Sequence, residues 1–399
     1  MTEFQKGFLA VAKAALTDSP LENPVKLDYD KVYRIADDQQ IVPLMYYGSV
    51  QDPAFAGHEC ARLFLERTCM YVGHGEDQSE TVDRIAQAFD RAGISYMPLK
   101  GTLLKSMYPN PDMRVMGDAD ILIKMDEYDR IQKVMFSLMM LPQKESDHEY
   151  IWKTVTGLQI ELHKRLIPSY NEDYYAYYGD GWRLAHLAEG ESYRYEMSPE
   201  DTYIYLFTHF AKHYRDQGVG MKYVFDFYVY RRKYPEMDMA YIARELEKLQ
   251  LFEFYQNVTR MIDVWFEGAP SDGITDYMTD KIFADGVFGT GENSTMSEGV
   301  KLSKQSGSVR AKKKWQLIFP SYSSMCQRHP ILKKWAILLP LFWIIRGFDI
   351  ILFHRDRYKT RMEQLELMTD ENIDQYHREL NYVGLDYNFG EDDPPKEKK

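Results

Sequence analysis

The stretch PDMRVMGDADILIK, from Pro111 to Lys124, sets Asp118 and Asp120 two residues apart just ahead of the apolar run Ile121-Leu122-Ile123. Extended backbone turns successive side chains to opposite faces, so the two carboxylates share one face while Ile121 and Ile123 share the other. Like charges this close repel, and both stay ionised most easily with a cation between them. Oxygen donors with no Cys or His beside them suit magnesium or manganese. A solvent-facing edge strand with two capping aspartates would show the same pattern, so DAD alone does not decide.

Three neighbours add weight to the cation. Upstream, in PLKGT, Lys100, Gly101 and Thr102 close one strand and open a helix. Such a junction presents backbone N–H groups and a helix N-terminus, both suited to phosphate. Arg114 offers a guanidinium with bidentate phosphate geometry. Downstream, Glu161 interrupts an otherwise apolar strand made by Leu158, Ile160 and Leu162. Three carboxylates beside a phosphate cradle are the apparatus of metal-assisted phosphoryl transfer.

Strands and helices must hold these groups together. ISYMPL (Ile94 to Leu99) reads as a strand, Thr102 to Met107 as a short helix, and YPNPD as the turn that ends it. DADILIK is the next strand, and Asp126 is expected to cap a helix with Tyr128, Ile131, Met135 and Leu138 on one face. LQIELHKRLI (Leu158 to Ile167) is a third strand, and all three strands are expected in one sheet. The first ninety residues read as helical. Val82, Ile85, Ala86 and Phe89 share a stripe, and Gly93 stops that helix. Helical patterning returns from Pro199, with Tyr203, Leu206, Phe207 and Phe210 in one stripe.

The motif LKGT, then GDADILI, then IELH resembles the polymerase-β-type nucleotidyltransferase superfamily. More narrowly it is similar to an uncharacterised nucleotidyltransferase group with KG at the turn, RxxGDxD at the acidic pair and ELH at the third acid. The likeness covers about Thr81 to Arg165, and extends more loosely through EDTYIYLFTHFAKHYRDQGVGMKYVFDF. The wider superfamily usually has Gly-Ser or Gly-Gly at the turn, where this chain has Lys100-Gly101-Thr102. The resemblance implies an α+β (mixed α/β) fold, a small mixed sheet with flanking helices. It implies that Asp118 and Asp120 bind two magnesium ions, manganese being the alternative, that bridge a nucleoside triphosphate such as ATP. Glu161 would bind the ion nearer the acceptor and help deprotonate the attacking hydroxyl. Gly101 and Thr102 would hold the triphosphate, with Lys100 and Arg114 neutralising its charge. The acceptor is left open among a small molecule, an RNA end and a protein side chain. Asp120→Asn is expected to abolish turnover at little cost in stability.

Weaker signals surround this set. His163 falls on the same strand face as Glu161, where a role next to the ligands or substrate competes with a structural one. His209 and His213, four apart on a helix, could bind zinc, but they have no glutamate between them and no third ligand. A place along an interdomain cleft, or in core hydrogen bonds, suits them better. Asp226 in MKYVFDF is either a cleft residue or a helix-packing one.

The 399 residues divide on these patterns into a helical region 1–79, a catalytic core 80–198, a helical domain 199–285, a Gly/Ser-rich linker 286–311, a basic and partly apolar helical region 312–385, and a disordered tail 386–399. Cys60, Cys69 and Cys326 form neither a disulfide framework nor a zinc pattern, which fits a reducing, cytoplasmic setting. The start, MTEFQKGFLAVAKAAL, has too short an apolar run for a secretory signal. Net charge is −12, yet Lys301 to Arg361 carries fourteen Lys and Arg against Asp349 and Asp356, a surplus of twelve that leaves the rest of the chain at −24. The basic segment is expected to pack on the acidic body, with Trp315, Leu317, Phe319, Trp335, Leu338 and Phe342 as docking surface. WAILLPLFWII (Trp335 to Ile345) is too short for a bilayer, which needs about 20 apolar residues. It reads as a buried helix broken at Pro340, with contact to a membrane surface as the alternative. Two other functions stay open: a non-catalytic nucleotide-binding or regulatory module, and an anionic-polymer or membrane-surface binder acting through the basic segment. The presence of all three carboxylates argues against the first, and the acidic bulk against a long polymer partner.

Overall fold

Apolar side chains at helical spacing build a long helix ahead of the first strand, and glycine ends it. A computed structural model describes residues 1–21, 27–286, 293, 296–297, 315 and 317–385. Among the described residues, four helices open the chain: α1 (Glu3–Thr17), α2 (Tyr29–Asp38), α3 (Val42–Ser49) and α4 (Pro53–Ala56). Helix α5 (Cys60–Ala92) follows and stops at Gly93, whose φ of +66° lets its N–H cap the carbonyls of Phe89 and Asp90. Then come β1 (Tyr96–Pro98), α6 (Lys100–Leu104), β2 (Asp118–Ile123), α7 (Tyr128–Ser137), β3 (Leu141–Glu145), β4 (Glu149–Lys153) and β5 (Gln159–His163).

These five strands form one sheet in the order β1-β2-β5-β4-β3. Strands β2 and β5 are parallel, and the other pairings are antiparallel. The expectation that three strands share a sheet holds, as does the α+β class. Alternation along β2, β4 and β5 sends Ala119, Ile121, Ile123, Trp152, Ile160 and Leu162 to one face. There they pack against Ile85 and Phe89 of α5 and Ile131 and Met135 of α7. The opposite face is left to the polar residues of the same strands.

Several local expectations need correcting. Asp126 does not cap α7: it lies in a 3₁₀ turn, Met125–Glu127, and the capping position belongs to Glu127, without a side-chain cap bond. The third strand ends at His163 rather than Ile167. The hairpin β3–β4 and a second two-stranded sheet, β6 (Ala185–Leu187) with β7 (Tyr195–Met197), were not foreseen. Helix α8 (Glu172–Tyr178) precedes that small sheet, and α9 (Pro199–Asp216), α10 (Met221–Lys233), α11 (Met239–Lys248), α12 (Phe252–Phe266) and α13 (Gly273–Asp285) follow it.

Two compact units result, one from Met1–His213 and Val219–Phe288, the other from Tyr214–Gly218 and Gly289–Tyr387. The second contains α14 (Tyr322–Arg328), α15 (Leu339–Phe353), α16 (Arg355–Glu366) and α17 (Asp370–Tyr382). Met325, Cys326 and Leu332 form a small core there, with Leu338, Leu339, Phe342 and Trp343 against it. WAILLPLFWII is not a buried helix broken by proline. Pro340 stands in the first turn of α15, where its missing N–H costs nothing, and much of the run is exposed. Trp315 and Trp335, expected as docking surface, are exposed as well. Apart from Gly286, Asn293, Met296 and Ser297, the expected linker 286–311 lies outside the described residues, as does the tail 386–399. Among the described residues no helix is long and apolar enough to cross a membrane.

Candidate active site

Parallel pairing of β2 with β5 sets Asp120 beside Glu161 and Leu122 beside His163. Residues paired across a ladder point to the same face, so Asp118, Asp120, Glu161 and His163 gather on the face opposite the core. Strand β4 pairs Glu149 with His163 and adds that carboxylate to the same face. The resulting cleft, about 280 Å³, is floored by these strands and by Lys100, Gly101, Met116 and Gly117. Its other walls come from α9 and α10, through His209, Lys212, His213, Lys222, Tyr223 and Asp226, with Gln40 at one edge.

The β1–α6 junction places the lysine. Lys100 has φ +47°, a left-handed conformation that side chains with a Cβ rarely hold and that costs of order 1 kcal/mol. That backbone brings its Nζ to 2.8 Å from Asp120 Oδ1. The Leu99 N–H donates to the Asp120 carbonyl at 3.0 Å and ties the turn to β2. Next to it, a Cβ on Gly101 would lie 3.0 Å from Met116 Cγ and 3.1 Å from its Sδ. Glycine there lets the turn sit on the cleft floor. Thr102 does not line the cleft, and its buried hydroxyl has no hydrogen-bond partner among the described residues.

The two aspartates differ sharply. Burial would raise the Asp120 carboxyl, but the Lys100 ammonium and a hydrogen bond from His163 Nε2 at 2.7 Å outweigh it and hold the group well below its ordinary value. Asp118 lacks such support. Burial, then the charges of Asp120 and Glu161, push it up to about 7. His163 also stands 3.6 Å from Glu161 Oε2, and against burial and Lys100 its bonds to these carboxylates raise it. Gln159 Nε2 donates to Glu161 Oε1 at 2.8 Å and fixes that carboxylate from the strand start.

These residues fit a divalent cation. Ligand atoms of Asp120, Glu161 and His163 lie within 4.8 Å of one another, as do those of His148, Glu149 and His163. Asp118 adds a carboxyl that burial and the charges of Asp120 and Glu161 raise against the pull of Lys100 and Lys222, and Lys100 already sits on Asp120 as a cation would.

Arg114 reaches the cleft wall, but its fork is occupied. Nε donates to Asp226 Oδ1 at 2.6 Å and Nη2 to Oδ2 at 2.8 Å, while Tyr108 donates to Oδ1 at 2.7 Å. Asp226 therefore does both things the sequence left open: it lines the cleft and locks α10 to the loop before β2. His209 and His213 also line the cleft, with their Nε2 atoms 3.2 Å apart. Burial, then Lys100 and His213, push His209 well below its ordinary value, so it is neutral.

The sequence reading missed Glu149, Lys212, Lys222 and Tyr223. Lys222 is the most telling of them. Burial and the neighbouring Arg114 lower it to about 7, against the pull of Asp226, Asp118 and Asp120. Its spacing of four from Asp226 on one helix was the available signal. Glu149 required recognition of β4. Against burial, His148 at 2.9 Å lowers it to about 2.

Fold and cleft together define an α+β protein of the nucleotidyltransferase type. The profile of the family described as Uncharacterised nucleotidyltransferase matches residues 26–267, and the chain belongs to that family. No curated protein and no solved structure matches it. Membership supports an enzyme of the nucleotidyl-transferring kind.

Proposed function

We propose that the chain moves a nucleoside monophosphate from a nucleoside triphosphate to a hydroxyl acceptor, with magnesium held by Asp118, Asp120 and Glu161. The convergence of these three carboxylates on one sheet face beside the Lys100–Gly101 turn carries the reading. In the reaction the acceptor oxygen bonds to the α-phosphorus, the bond from that phosphorus to the bridging oxygen breaks, and pyrophosphate leaves. In this reading the acceptor proton passes to the Glu161 carboxylate. A bound divalent ion supplies neutralisation of the phosphate oxygens and a lower pKa for the acceptor hydroxyl.

The chain's own groups do the remaining work. With a divalent ion on Asp120, the Lys100 ammonium would be free to meet a phosphate oxygen, because both cations answer the same charge. Lys222 and Lys212 face the cleft and receive the rest of the triphosphate, and Lys222 regains its full charge once an anion lies beside it. Arg114 and Asp226 hold the wall in place rather than the substrate.

Each labelled triphosphate, incubated with the protein, magnesium or manganese and fractionated cell extract, tests this. Pyrophosphate release with label transfer to an acceptor or to the protein is expected, and Asp118→Asn, Asp120→Asn and Glu161→Gln each remove it. Transfer that persists in all three variants would sink the assignment.

A further inference from the structure

Helix α15 is apolar on both sides, and only one side is used. Leu339, Phe342 and Trp343 pack on the small core around Leu332. Trp343 Nε1 donates to the Pro320 carbonyl at 3.0 Å, and Arg346 Nη1 to the Leu317 carbonyl at 3.0 Å. These bonds fix which side faces in. At 100° per residue, Leu341, Ile344, Ile345, Phe348 and Leu352 fall within an arc of about 100° on the other side. All five are exposed, Phe348 at 62% and Leu352 at 68%, and Ile337 just before the helix reaches 84%. A contiguous apolar stripe of this kind marks an interaction surface.

Its surroundings say what covers it. Lys333 and Lys334 stand exposed just before the helix, Arg355 and Lys359 just after it. The one acid of the helix, Asp349, falls beside the stripe rather than on it. Trp335 is 61% exposed next to the two lysines, in the position an aromatic takes at the border between apolar and polar phases. The helix has 15 residues, too few to span a bilayer but enough to lie along its surface.

We propose that α15 docks on an anionic membrane surface, lying in the plane of the interface. The stripe from Leu341 to Leu352 enters the acyl boundary, and the cations at its two ends meet lipid phosphates. A protein groove could bury the stripe but would also need acidic rims at both ends. Anionic lipid supplies both chemistries everywhere along its surface. The proposal is independent of the chemistry in the cleft.

The test is co-sedimentation of the full chain with vesicles of phosphatidylcholine alone or mixed with an equal part of phosphatidylglycerol, at low and high sodium chloride. Binding to the anionic vesicles, weakened by salt, is expected, with a blue shift of tryptophan emission that Trp335→Phe diminishes. Lys333→Gln with Lys334→Gln should weaken binding about thirtyfold, from about 1 kcal/mol per basic residue near the surface. These two exposed positions leave the fold untouched, so this variant stays informative even if a stripe variant unfolds. Ile344→Glu with Phe348→Glu should lower binding at least about tenfold. Val155→Glu, an exposed position in the other unit, should leave it unchanged. Absence of anionic-vesicle binding by the folded chain overturns the proposal, and so does binding indifferent to the stripe and lysine variants. A dimer that the stripe variant dissolves, without vesicle binding, assigns the face to a second copy and overturns it too.

Discussion

Asp118 and Asp120 look interchangeable as letters, and their surroundings separate them. Asp120 is held by Lys100 at 2.8 Å and His163 at 2.7 Å, so its charge is satisfied. Removing that charge takes from the mostly covered Lys100 its closest counterion. Asp120→Asn should therefore lose about 2 kcal/mol, seen as a Tm lower by roughly 5 °C, contrary to the small cost expected from two bare carboxylates. Asp118→Asn should do the reverse in metal-free protein and raise Tm by roughly 2–4 °C, because it removes the carboxylate that burial, Asp120 and Glu161 disfavour. Both substitutions should abolish transfer. Equal Tm changes in the two variants would show that the surroundings do not distinguish them. The sign with pH follows. The folded pKa of Asp118, about 7, lies above its ordinary 3.8, so the folded state holds the extra proton between these values. This contribution is full below about pH 4 and is lost as pH rises through about 7. The Tm of metal-free protein should fall over that window, and the Asp118→Asn profile should be flatter. Magnesium should add more to Tm above the window than below it.

Elements were legible where one face of a strand or helix is apolar and the pattern is dense. Strands β1, β2 and β5 and the stop at Gly93 came through for that reason. The hairpin β3–β4 did not: β3 is exposed along its length and carries Pro142, so it has no buried face to betray it. In β4 only Trp152 is fully buried. With β4 unseen, Glu149 could not be placed beside His163, although alternation from Trp152 to Tyr150 would have turned it to the acidic face. The capping role given to Asp126 failed because a 3₁₀ turn intervenes before α7. The walls of the cleft depend on how α9 and α10 meet the sheet, which no local pattern specifies. Arg114 illustrates this: as a letter it suits phosphate, and in place it binds Asp226 on α10. Asp226→Asn should leave a buried guanidinium half-paired and cost about 3–5 kcal/mol. Arg114→Met combined with Asp226→Asn should recover part of that loss, since neither charge is then buried alone. Denaturant melts of the two single variants and the double variant give the coupling. Simple additivity would mean that the pair does not join α10 to the loop before β2.

At the scale of the molecule, function is unevenly distributed. Among the described residues, those lining the cleft, from Gln40 to Phe227, belong to the larger unit, and the apolar stripe belongs to the smaller one. Among the described residues, thirteen buried residues form one cluster under the sheet in the larger unit, and Met325, Cys326 and Leu332 form a smaller cluster in the other. A chain built this way need not melt in one step, and a ligand raises the stability only of the part that binds it. The six tryptophans make this measurable, because Trp152, Trp182 and Trp265 report on the larger unit and Trp315, Trp335 and Trp343 on the smaller. Two thermal transitions are expected, with the smaller core melting first. Magnesium with a triphosphate at about a hundred times its Kd adds about 2.7 kcal/mol to the unit that binds it. That should move the upper transition by roughly 5–10 °C and leave the lower one in place. Phe substitutions at the three tryptophans of one unit assign each transition without touching the carboxylates. Anionic vesicles should act in the opposite way, shifting the transition reported by Trp315, Trp335 and Trp343 and leaving the nucleotide-sensitive one unchanged. A single transition that nucleotide and vesicles both shift would mean that the units unfold together and that each site feels the other's ligand.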